Sequence, residues 1–379
     1  MNVAVVGGKL QGVEVTYLAK CAGYTVGVLD RRQDAQAFGM ADREYVIDIL
    51  QERVQTECIL KKYDVVIPAI ENLEVLDAVL AIGKKFGVPV LFDRNAYEIS
   101  SSKRASNQLF HQLQLSMPGT YPDCSYPVIV KPNDKSGSSG VQKCFSKEET
   151  ERCLQSLPKD TVVQEYVEGR SFSLEVLGDG TQFVFPQITE VVVDKAYDCK
   201  RIIAPAKLEE NEKKQLLSMG KKLAETLKIK GIFDIEVICH RGTLKLLEID
   251  ARVPSQTPIS VYHSCGFNMV EAMVQFALGK SVCKKIEERQ VVMYQQIVVT
   301  GQEIKVLGEH VMGQCKRLHR DRAFFGALDA ITDYEPGKET FSAIVITAGN
   351  TQKEAYHHFR SCIKGITETV GKPLALIEG

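Results

Sequence analysis

The most constraining feature of the sequence is segment 231–257, GIFDIEVICHRGTLKLLEIDARVPSQT. Two apolar runs flank a short polar turn that contains a glycine, a pattern that predicts a β-hairpin. The first run carries Glu236, and the second carries Glu248, Asp250 and Arg252 at alternate positions. Because successive side chains of a strand point to opposite faces, the last three residues lie on the same face.

Three carboxylates that converge on a partly buried surface need a counter-charge. Burying unpaired negative charge costs several kcal/mol per ion, so we expect a cation at this face. Hard oxygen ligands suit magnesium, which is usually bound by one or two carboxylates together with substrate phosphates. The hairpin residues alone leave two interpretations open, a magnesium site and the solvated polar face of an edge hairpin.

The composition indicates an ordinary globular protein of two or three domains. The 379 residues include 25% charged and 44% apolar residues, and the net charge is −1, so no electrostatic argument favours a nucleic-acid partner. Eleven cysteines are scattered without CxxC or CxxH pairs, which indicates reduced thiols. The start lacks a signal-peptide pattern, and no apolar run is long enough for a membrane helix. We therefore expect a cytoplasmic protein with no membrane partner.

Residues 1–98 alternate between strand-like and helix-like patterns, which predicts an α/β domain with a doubly wound parallel sheet. Strands are expected at residues 2–6, 24–30, 64–70 and 89–93. Ligands of such sheets bind beyond the carboxyl ends of the strands.

The glycine loop of residues 7–12, GGKLQG, admits a second function class, a nicotinamide-dependent dehydrogenase. In that class Asp30 would bind the cofactor ribose. However, Lys9 stands where the dinucleotide fingerprint has its second glycine. A tight turn between strand and helix explains the loop equally well.

Glu71 and Asn72 follow a predicted strand of this domain. At a carboxyl end they could receive a substrate ammonium group. Asn72 also precedes the helical run LEVLDAVLAIG, where it would be a suitable helix N-cap. Both interpretations of this pair stay open.

Lys131 ends a buried strand, and a loop of small residues follows it: Ser136, Gly137, Ser138, Ser139 and Gly140. A lysine at the end of an apolar strand indicates a nearby anion. Small residues let backbone N–H groups approach an anion closely, as a phosphate site requires. The loop alone could equally be a flexible hairpin tip.

The strand lysine with its Gly/Ser loop, a strand ending in QEYV at residues 164–167, and the carboxylate hairpin occur in a fixed order. This order resembles the ATP-grasp superfamily of carboxylate–amine ligases through about residue 280. The resemblance implies an N-terminal α/β domain over residues 1–98 followed by a two-part α+β ATP-grasp domain. Its small part would cover residues 99–165, and its large part with a C-terminal extension would cover residues 166–379.

The same resemblance implies ATP and Mg²⁺ as cofactors and assigns roles to individual residues. Lys131 and Lys103 would contact the nucleotide phosphates, and the Gly/Ser loop would cover them. The adenine would be lined, largely through the backbone, by Gln164, Glu165, Tyr166 and Val167, with Glu168 as the candidate for the ribose. Glu236, Glu248 and Asp250 would hold magnesium, although many members have Asn where Asp250 stands. Arg252 would face the acyl phosphate and stabilise the developing oxyanion.

Further short runs resemble the ligase subfamily of pyrrolysine biosynthesis, namely GGKLQG, PVLFD, EYVEG, YDC at residues 197–199 and EIDARVPSQTP. This resemblance implies ATP-dependent joining of (3R)-3-methyl-D-ornithine to the Nε amine of L-lysine, with release of ADP and phosphate. Another amino-acid or dipeptide ligase of the superfamily and a non-catalytic nucleotide-binding regulator remain alternatives. A homodimer is one option that the sequence leaves open.

Substrate recognition is expected beside the metal strand. Glu71 and Asp198 are candidates for binding cationic amines, and a substrate carboxylate could be bound by Ser255, Gln256 and Thr257. For each of these residues a hydrogen-bonded loop or core position is an equal alternative. The attacking amine must lose its proton, and the sequence does not identify the base.

Overall fold

The N-terminal part of the protein is built around a parallel sheet of four strands. The structure, a computed structural model, describes residues 1–282, 286–371 and 375–378. The elements of this part are β1 (Asn2–Val6), α1 (Leu10–Cys21), β2 (Thr25–Asp30), a 3-10 turn (Gln36–Met40), β3 (Arg43–Val46), α2 (Arg53–Leu60), β4 (Val65–Pro68) and α3 (Leu73–Phe86). The strand order is β3-β2-β1-β4. The strands β2 and β3 therefore lie on one side of β1, and β4 lies on the other side.

A small antiparallel sheet follows, with strand order β6-β5-β7. Its region contains α4 (Arg94–Ser100), α5 (Lys103–Gln112), β5 (Val128–Pro132), β6 (Gln142–Cys144), α6 (Lys147–Ser156) and β7 (Thr161–Glu165). The strand β5 lies in the centre, where its buried residues Val128 and Val130 form the core of this sheet. Lys131 follows them on the same strand and lies beside the edge of the large sheet, which is described next.

The remainder of the chain forms one 12-stranded sheet with the main path β13-β12-β8-β10-β11-β14-β18-β17-β16. Its elements are β8 (Arg170–Asp179), β9 (Phe183–Val184), β10 (Ile188–Val193), β11 (Cys199–Ala204), α7 (Glu210–Leu227), β12 (Lys230–His240), β13 (Thr243–Asp250), α8 (Thr257–Cys265), α9 (Met269–Ala277), β14 (Val291–Val299), β15 (Glu303–Val306), a 3-10 helix (Glu309–Gln314), β16 (His319–Arg322), a 3-10 turn (Phe324–Gly326), β17 (Asp329–Thr332), β18 (Phe341–Gly349), α10 (Gln352–Val370) and β19 (Ala375–Glu378).

The predicted α/β class is confirmed, with a parallel sheet first, then an antiparallel sheet, and then a large sheet that is antiparallel except for the parallel pair β15 and β19. Three details of the strand prediction were wrong. Residues 89–93 form a single parallel bridge between Val90 and Val66 rather than a strand. The short strand β3 was missed, because its pattern of exposed residues lacks an apolar run. The run QFVFPQITEVV at residues 182–192, whose apolar residues predict one continuous strand, is divided into β9 and β10 around Pro186, which has no N–H to donate to a strand ladder.

The cysteines within the described ranges are free thiols, as expected. Cys283 lies outside the described residues. Among the described residues, no helix combines the length and the apolar character that crossing a membrane requires.

A buried polar network ties the N-terminal helix α1 to the far end of the large sheet. Asp329 on β17 accepts hydrogen bonds from the Tyr17 hydroxyl at 2.7 Å and from Arg320 Nε at 2.8 Å. The same hydroxyl lies 2.7 Å from His263 Nε2. Asp329 is 2% exposed, so loss of its carboxylate would leave the buried Tyr17 hydroxyl and the half-buried Arg320 guanidinium without their shared acceptor.

We expect Asp329→Ala to destabilise the protein by about 1–3 kcal/mol, because the Tyr17 hydroxyl and the Arg320 guanidinium lose the buried carboxylate that accepts their hydrogen bonds. Urea unfolding followed by circular dichroism measures this loss. The exposed Asp34 supplies a matched control, and Asp34→Ala should change stability by less than about 0.5 kcal/mol. Equal effects of the two substitutions would contradict a structural role for the network.

Candidate active site

The predicted hairpin exists and brings four carboxylates, rather than three, to one face. Strands β12 and β13 pair antiparallel, with Glu236 opposite Glu248 and Asp234 opposite Asp250. Directly opposed residues of two strands point to the same face of the sheet. The pairing register between the two strands shifts between Glu236 and Val237, at a β-bulge. The regular alternation of side chains is therefore kept from Asp234 to Glu236 and is interrupted after Glu236.

The carboxylates of this face differ in exposure, since Asp234 is buried, Glu248 and Asp250 are half-buried and Glu236 is exposed to the cavities that it lines. Desolvation is the main cause that raises the pKa of Glu236 to about 7, and the Glu248 and Asp250 charges reinforce it. Desolvation likewise raises the pKa of Asp250 to about 7, while the nearby Arg252 opposes the shift. Asp234 is 5% exposed, and burial raises its pKa well above the ordinary range. Its Oδ1 atom has no hydrogen-bond partner among the described residues.

Three cations surround the carboxylates. Arg252 Nη2 lies 2.7 Å from Asp250 Oδ2, and Lys103 Nζ lies 3.1 Å from Glu248 Oε1. Lys103 also donates to the carbonyl of Lys135 in the loop after β5. Lys131 is 7% exposed, and burial lowers its pKa although the charges of Glu248 and Glu236 oppose the shift. The two lysines therefore lie beside the predicted metal ligands, as an anionic phosphate chain would require.

The donor set fits a divalent cation. Glu236, Glu248 and Asp250 offer hard carboxylate oxygens from two adjacent strands. Desolvation is the main cause that raises the pKa values of Glu236 and Asp250, and the Glu248 charge reinforces it. Magnesium is bound through such oxygens. A bound cation would lower these pKa values by stabilising the ionised carboxylates.

A cavity of about 430 Å³ lies between the small sheet and the large sheet. Apolar walls are formed by Ile129, Phe172, Val237 and Leu247, and the lysines Lys103 and Lys131 line it together with Glu236 and Glu248. A slot with apolar walls that leads to lysines and carboxylates suits a nucleotide, with the base in the slot and the phosphates at the charged end.

The predicted adenine segment lines this cavity with Gln164, Glu165, Tyr166, Val167 and Glu168. The side chain of Glu165 is engaged elsewhere, since it accepts from Gly119 N at 2.8 Å and pairs with Lys245 at 2.6 Å. Glu165 can therefore meet a base through its backbone. Lys143 Nζ lies 3.4 Å from the centre of the Tyr166 ring and fixes that side chain by a cation–π contact.

A second cavity of about 150 Å³ lies on the other side of the carboxylates. Both cavities are lined by Ser138, Val191, Val193, Tyr197, Glu236 and Glu248. The second cavity is also lined by Asp234, Asp250, Arg252 and the predicted substrate residues Asp198, Ser255, Gln256 and Thr257. The two cavities therefore meet at the predicted metal ligands, where a phosphoryl group and a second substrate would come together.

The Gly/Ser loop covers this junction. Ser138 Oγ donates to the carbonyl of Tyr197 at 2.7 Å, and Ser136 Oγ donates to Glu71 Oε2 at 2.8 Å. Ser139 lines the cavity between the small sheet and the large sheet, and Gly137 lines the second cavity. Gly140 lines neither of the two; its φ of +76° places it at the turn that returns the chain to β6.

The structure assigns different surroundings to the residues Glu71 and Asn72. Glu71 Oε1 lies 2.8 Å from Arg252 Nε, so this N-terminal residue joins the site as a partner of the arginine. Charge attraction from Arg252 lowers the pKa of Glu71 against the opposing effect of its burial. Asn72 is the N-cap of α3, where its side chain accepts from Val75 N at 3.0 Å. Of the two alternatives for Asn72, the structure therefore shows the helix cap.

Three of the four remaining predicted substrate residues, Asp198, Ser255 and Gln256, are already hydrogen-bonded through their side chains. Asp198 Oδ2 accepts from His310 N at 3.0 Å and contacts the His310 ring, so its carboxylate holds another loop. Ser255 Oγ and Gln256 Nε2 donate to Glu309 Oε2 at 2.6 and 2.8 Å. Thr257 remains a lining residue of the second cavity, and its hydroxyl has no hydrogen-bond partner among the described residues.

Three acidic residues of the site were missed from the sequence. Asp234 lies two positions before Glu236, so the period of two along β12 could have identified it. Glu175 is fully buried on β8 opposite Asp234, within an apolar run that gave no polar pattern. Glu309 begins a 3-10 helix far along the chain, and no local pattern connects it with the hairpin.

The glycine loop after β1 is held by a hydrogen bond to a side chain of the same protein. Asp30 Oδ2 accepts from Gly8 N at 2.7 Å, and its Oδ1 accepts from Arg32 N at 2.9 Å. These contacts lower the pKa of Asp30 although burial acts in the opposite direction. Asp30 is therefore engaged in the turn, and this geometry favours the tight-turn interpretation over a cofactor-ribose site.

Comparison with known proteins identifies relatives at three levels. A family model described as an ATP-grasp domain matches residues 100–256. A protein named 3-methyl-D-ornithine–L-lysine ligase from Methanosarcina barkeri is 36% identical over 313 residues, which cover 82% of this chain and 84% of that protein.

Among solved structures, an N5-carboxyaminoimidazole ribonucleotide synthetase in complex with ADP superposes with a TM-score of 0.73 at 14% identity and covers 98% of both chains. An L-amino acid ligase from Bacillus licheniformis has a TM-score of 0.71 at 17% identity, with 96% and 97% coverage. At such identities these two structures show a common fold.

We expect Mg²⁺ to raise the melting temperature more at about pH 8 than at about pH 6, by at least about 2 °C. Without metal, Glu236 and Asp250 have folded-state pKa values of about 7, above their ordinary 4.5 and 3.8. Their contribution to stability is therefore complete below the ordinary values and is lost as the pH rises through about 7. A cation binds the ionised carboxylates and recovers this loss.

Thermal unfolding with Mg²⁺, compared with NaCl at equal ionic strength, measures the difference. An Mg²⁺ effect that is equal at both pH values, or that NaCl reproduces, would contradict a metal site at these carboxylates.

Proposed function

We propose that this chain, which belongs to the ATP-grasp family of the 3-methyl-D-ornithine–L-lysine ligases, joins (3R)-3-methyl-D-ornithine to the Nε amine of L-lysine. The chain is an ATP-dependent carboxylate–amine ligase. The observation that carries the substrate proposal is the 36% identity over most of both chains, and the two cavities that meet at Glu236 and Glu248 support it.

The first step activates a carboxylate. The α-carboxylate of 3-methyl-D-ornithine attacks the terminal phosphoryl group of ATP, which yields an acyl phosphate and ADP. Lys103 and Lys131 contact the phosphates and neutralise the negative charge that spreads over the phosphoryl oxygens. Bound magnesium would supply further charge neutralisation and alignment from Glu236, Glu248 and Asp250.

The second step forms the amide. The lysine Nε attacks the acyl carbon, the carbon–oxygen bond to the phosphate breaks, and inorganic phosphate leaves with the bond electrons. Arg252 lines the second cavity beside Asp250 and stabilises the developing oxyanion. Glu71 and Asp250 hold this guanidinium at 2.8 and 2.7 Å, so its direction is set before the substrate arrives.

The attacking amine must be neutral. In water a lysine side chain has a pKa of about 10.4, so most molecules arrive protonated. The small and partly enclosed second cavity favours the neutral amine by desolvation. The Gly/Ser loop, anchored by Ser136 and Ser138, excludes water that would hydrolyse the acyl phosphate.

Two further elements of the proposal come from the sequence. The reaction takes place in the cytoplasm, in line with the free thiols of the described residues. A homodimer is proposed as the assembly. Another amino-acid or dipeptide ligase is the alternative that uses the same ATP-grasp chemistry. The dehydrogenase alternative lacks support because Asp30 is engaged in the turn.

We expect Glu248→Gln to lower the ligation rate by about 100-fold or more, because the neutral amide removes a charge from the proposed metal site and a partner from Lys103. Release of phosphate in the presence of ATP, L-lysine and D-ornithine measures the rate. The exposed Glu225 on α7 supplies a control, and Glu225→Gln should retain full activity. Unchanged ligation by Glu248→Gln would refute the metal assignment.

The substrate proposal is tested with the wild-type protein. Phosphate release should depend on L-lysine together with 3-methyl-D-ornithine or D-ornithine, and mass spectrometry should detect the amide. A panel of neutral and acidic amino acids should give at least about 100-fold less product. Absence of turnover with every diamino acid would exclude the specific assignment.

A further inference from the structure

Glu309 lies in the second cavity but outside the matched ATP-grasp domain. It is the first residue of the 3-10 helix Glu309–Gln314, and it lines the cavity together with Arg252 and Asp250. The matched domain ends at residue 256, so Glu309 is an addition from the C-terminal part of the chain. The proposed two-step reaction has no role for this carboxylate.

The two oxygens of Glu309 have different surroundings. Its Oε2 atom accepts from Ser255 Oγ at 2.6 Å and from Gln256 Nε2 at 2.8 Å. Its Oε1 atom has no hydrogen bond among the described residues and faces the Gly/Ser loop, where a Cβ atom placed on Gly137 would lie 3.7 Å away. One oxygen is therefore fixed by the protein, and the other is presented to the cavity as an acceptor.

The backbone around Glu309 is held from the opposite side. Asp198 accepts from His310 N at 3.0 Å, and Asp194 accepts from Gly308 N at 3.2 Å. A Cβ atom on Gly308 would lie 2.1 Å from Asp198 Oδ2, so this close approach requires the glycine. The loop between β10 and β11 thus positions Glu309. Asp198 acts on Glu309 through the next residue, His310.

Among the described residues, no lysine or arginine forms an ion pair with Glu309, and Arg252 interacts with it only at longer range. Among the described residues that line the second cavity, Arg252 is the single lysine or arginine, and it is already engaged by Asp250 and Glu71. The same lining includes six carboxylates: Asp198, Asp234, Glu236, Glu248, Asp250 and Glu309. Cations bound at Glu236, Glu248 and Asp250 would leave Glu309 on the other wall unpaired. A charge in this position is stabilised by a cationic group of the ligand.

We infer that Glu309 binds a non-reacting ammonium group of a diamino-acid substrate and thereby selects cationic amino acids. This inference rests on the proposed function of the same site. An ammonium group fits because it brings a positive charge and donors, whereas a substrate carboxylate would meet a like charge. The Ser255 and Gln256 side chains act as positioning residues for Glu309.

The experiment compares Glu309→Gln with the wild type. The amide retains size and can still bind Ser255, but it loses the charge, so the KM of at least one of the two diamino acids should rise about 10- to 100-fold. The affinity for ADP, measured by isothermal titration calorimetry, should stay within about twofold. Glu309→Asp keeps the charge and should give a smaller increase in KM than Glu309→Gln.

Controls separate recognition from folding. The exposed Glu335 lies in a loop of the same C-terminal region, and Glu335→Gln should leave both KM values unchanged. Ser255→Ala removes one donor to Glu309 and should raise the same KM as Glu309→Gln, but less. Unchanged KM values for both substrates in Glu309→Gln, or a parallel loss of ADP affinity, would overturn the inference.

Direct binding of L-lysine and of D-ornithine to the protein with Mg²⁺ and ADP distinguishes this inference from the proposed function. Glu309-dependent binding without turnover would exclude the proposed ligation and keep Glu309 as an ammonium-binding residue. Turnover with binding that is independent of Glu309 would keep the ligase and refute the inference. A wild-type protein that binds neither diamino acid would overturn both.

Discussion

The crowding of negative charge on the β12–β13 hairpin is the constraint on which the site depends. Four carboxylates face one another on two neighbouring strands. Desolvation raises the pKa values of Asp234, Glu236 and Asp250, and neighbouring carboxylates reinforce these shifts. Such a face is tolerated when cations approach it from several directions. Arg252 approaches along the hairpin, Lys131 arrives from the small sheet, and Lys103 from the start of α5.

The N-terminal sheet takes part in the site through buried contacts. Glu14 of α1 is 1% exposed and accepts from Gln256 N at 2.7 Å and from Ile259 N at 3.0 Å. These N–H groups lie at the start of α8, so a carboxylate from another element caps that helix. Burial raises the pKa of Glu14 to about 8. Through this contact α1 fixes the turn at Gln256, whose φ of +77° is unusual for a residue with a side chain.

Membership of the ATP-grasp family explains the residues of the cavity between the small and the large sheet better than the residues of the second cavity. The lysines, the Gly/Ser loop and the carboxylate hairpin lie within the matched residues 100–256. Glu71 precedes this range and Glu309 follows it, yet both reach the second cavity or its arginine. Distant parts of the chain therefore shape the substrate side, as expected when one fold serves several reactions.

The sequence by itself determined the α/β class, the hairpin and its three carboxylates, since periods of two and of 3.6 residues are local properties of the chain. The resemblance to ATP-grasp ligases, confirmed by the comparisons, rested on the order of such local motifs. Asp234 could have been found by the same periodicity. Only the tertiary structure decided that Asn72 caps a helix, that Asp198 accepts a hydrogen bond from His310 and that Glu309 lines the second cavity. Hydrogen bonds and charge pairing between residues far apart in the chain leave no periodic trace in the sequence, because they are set by how the sheets pack.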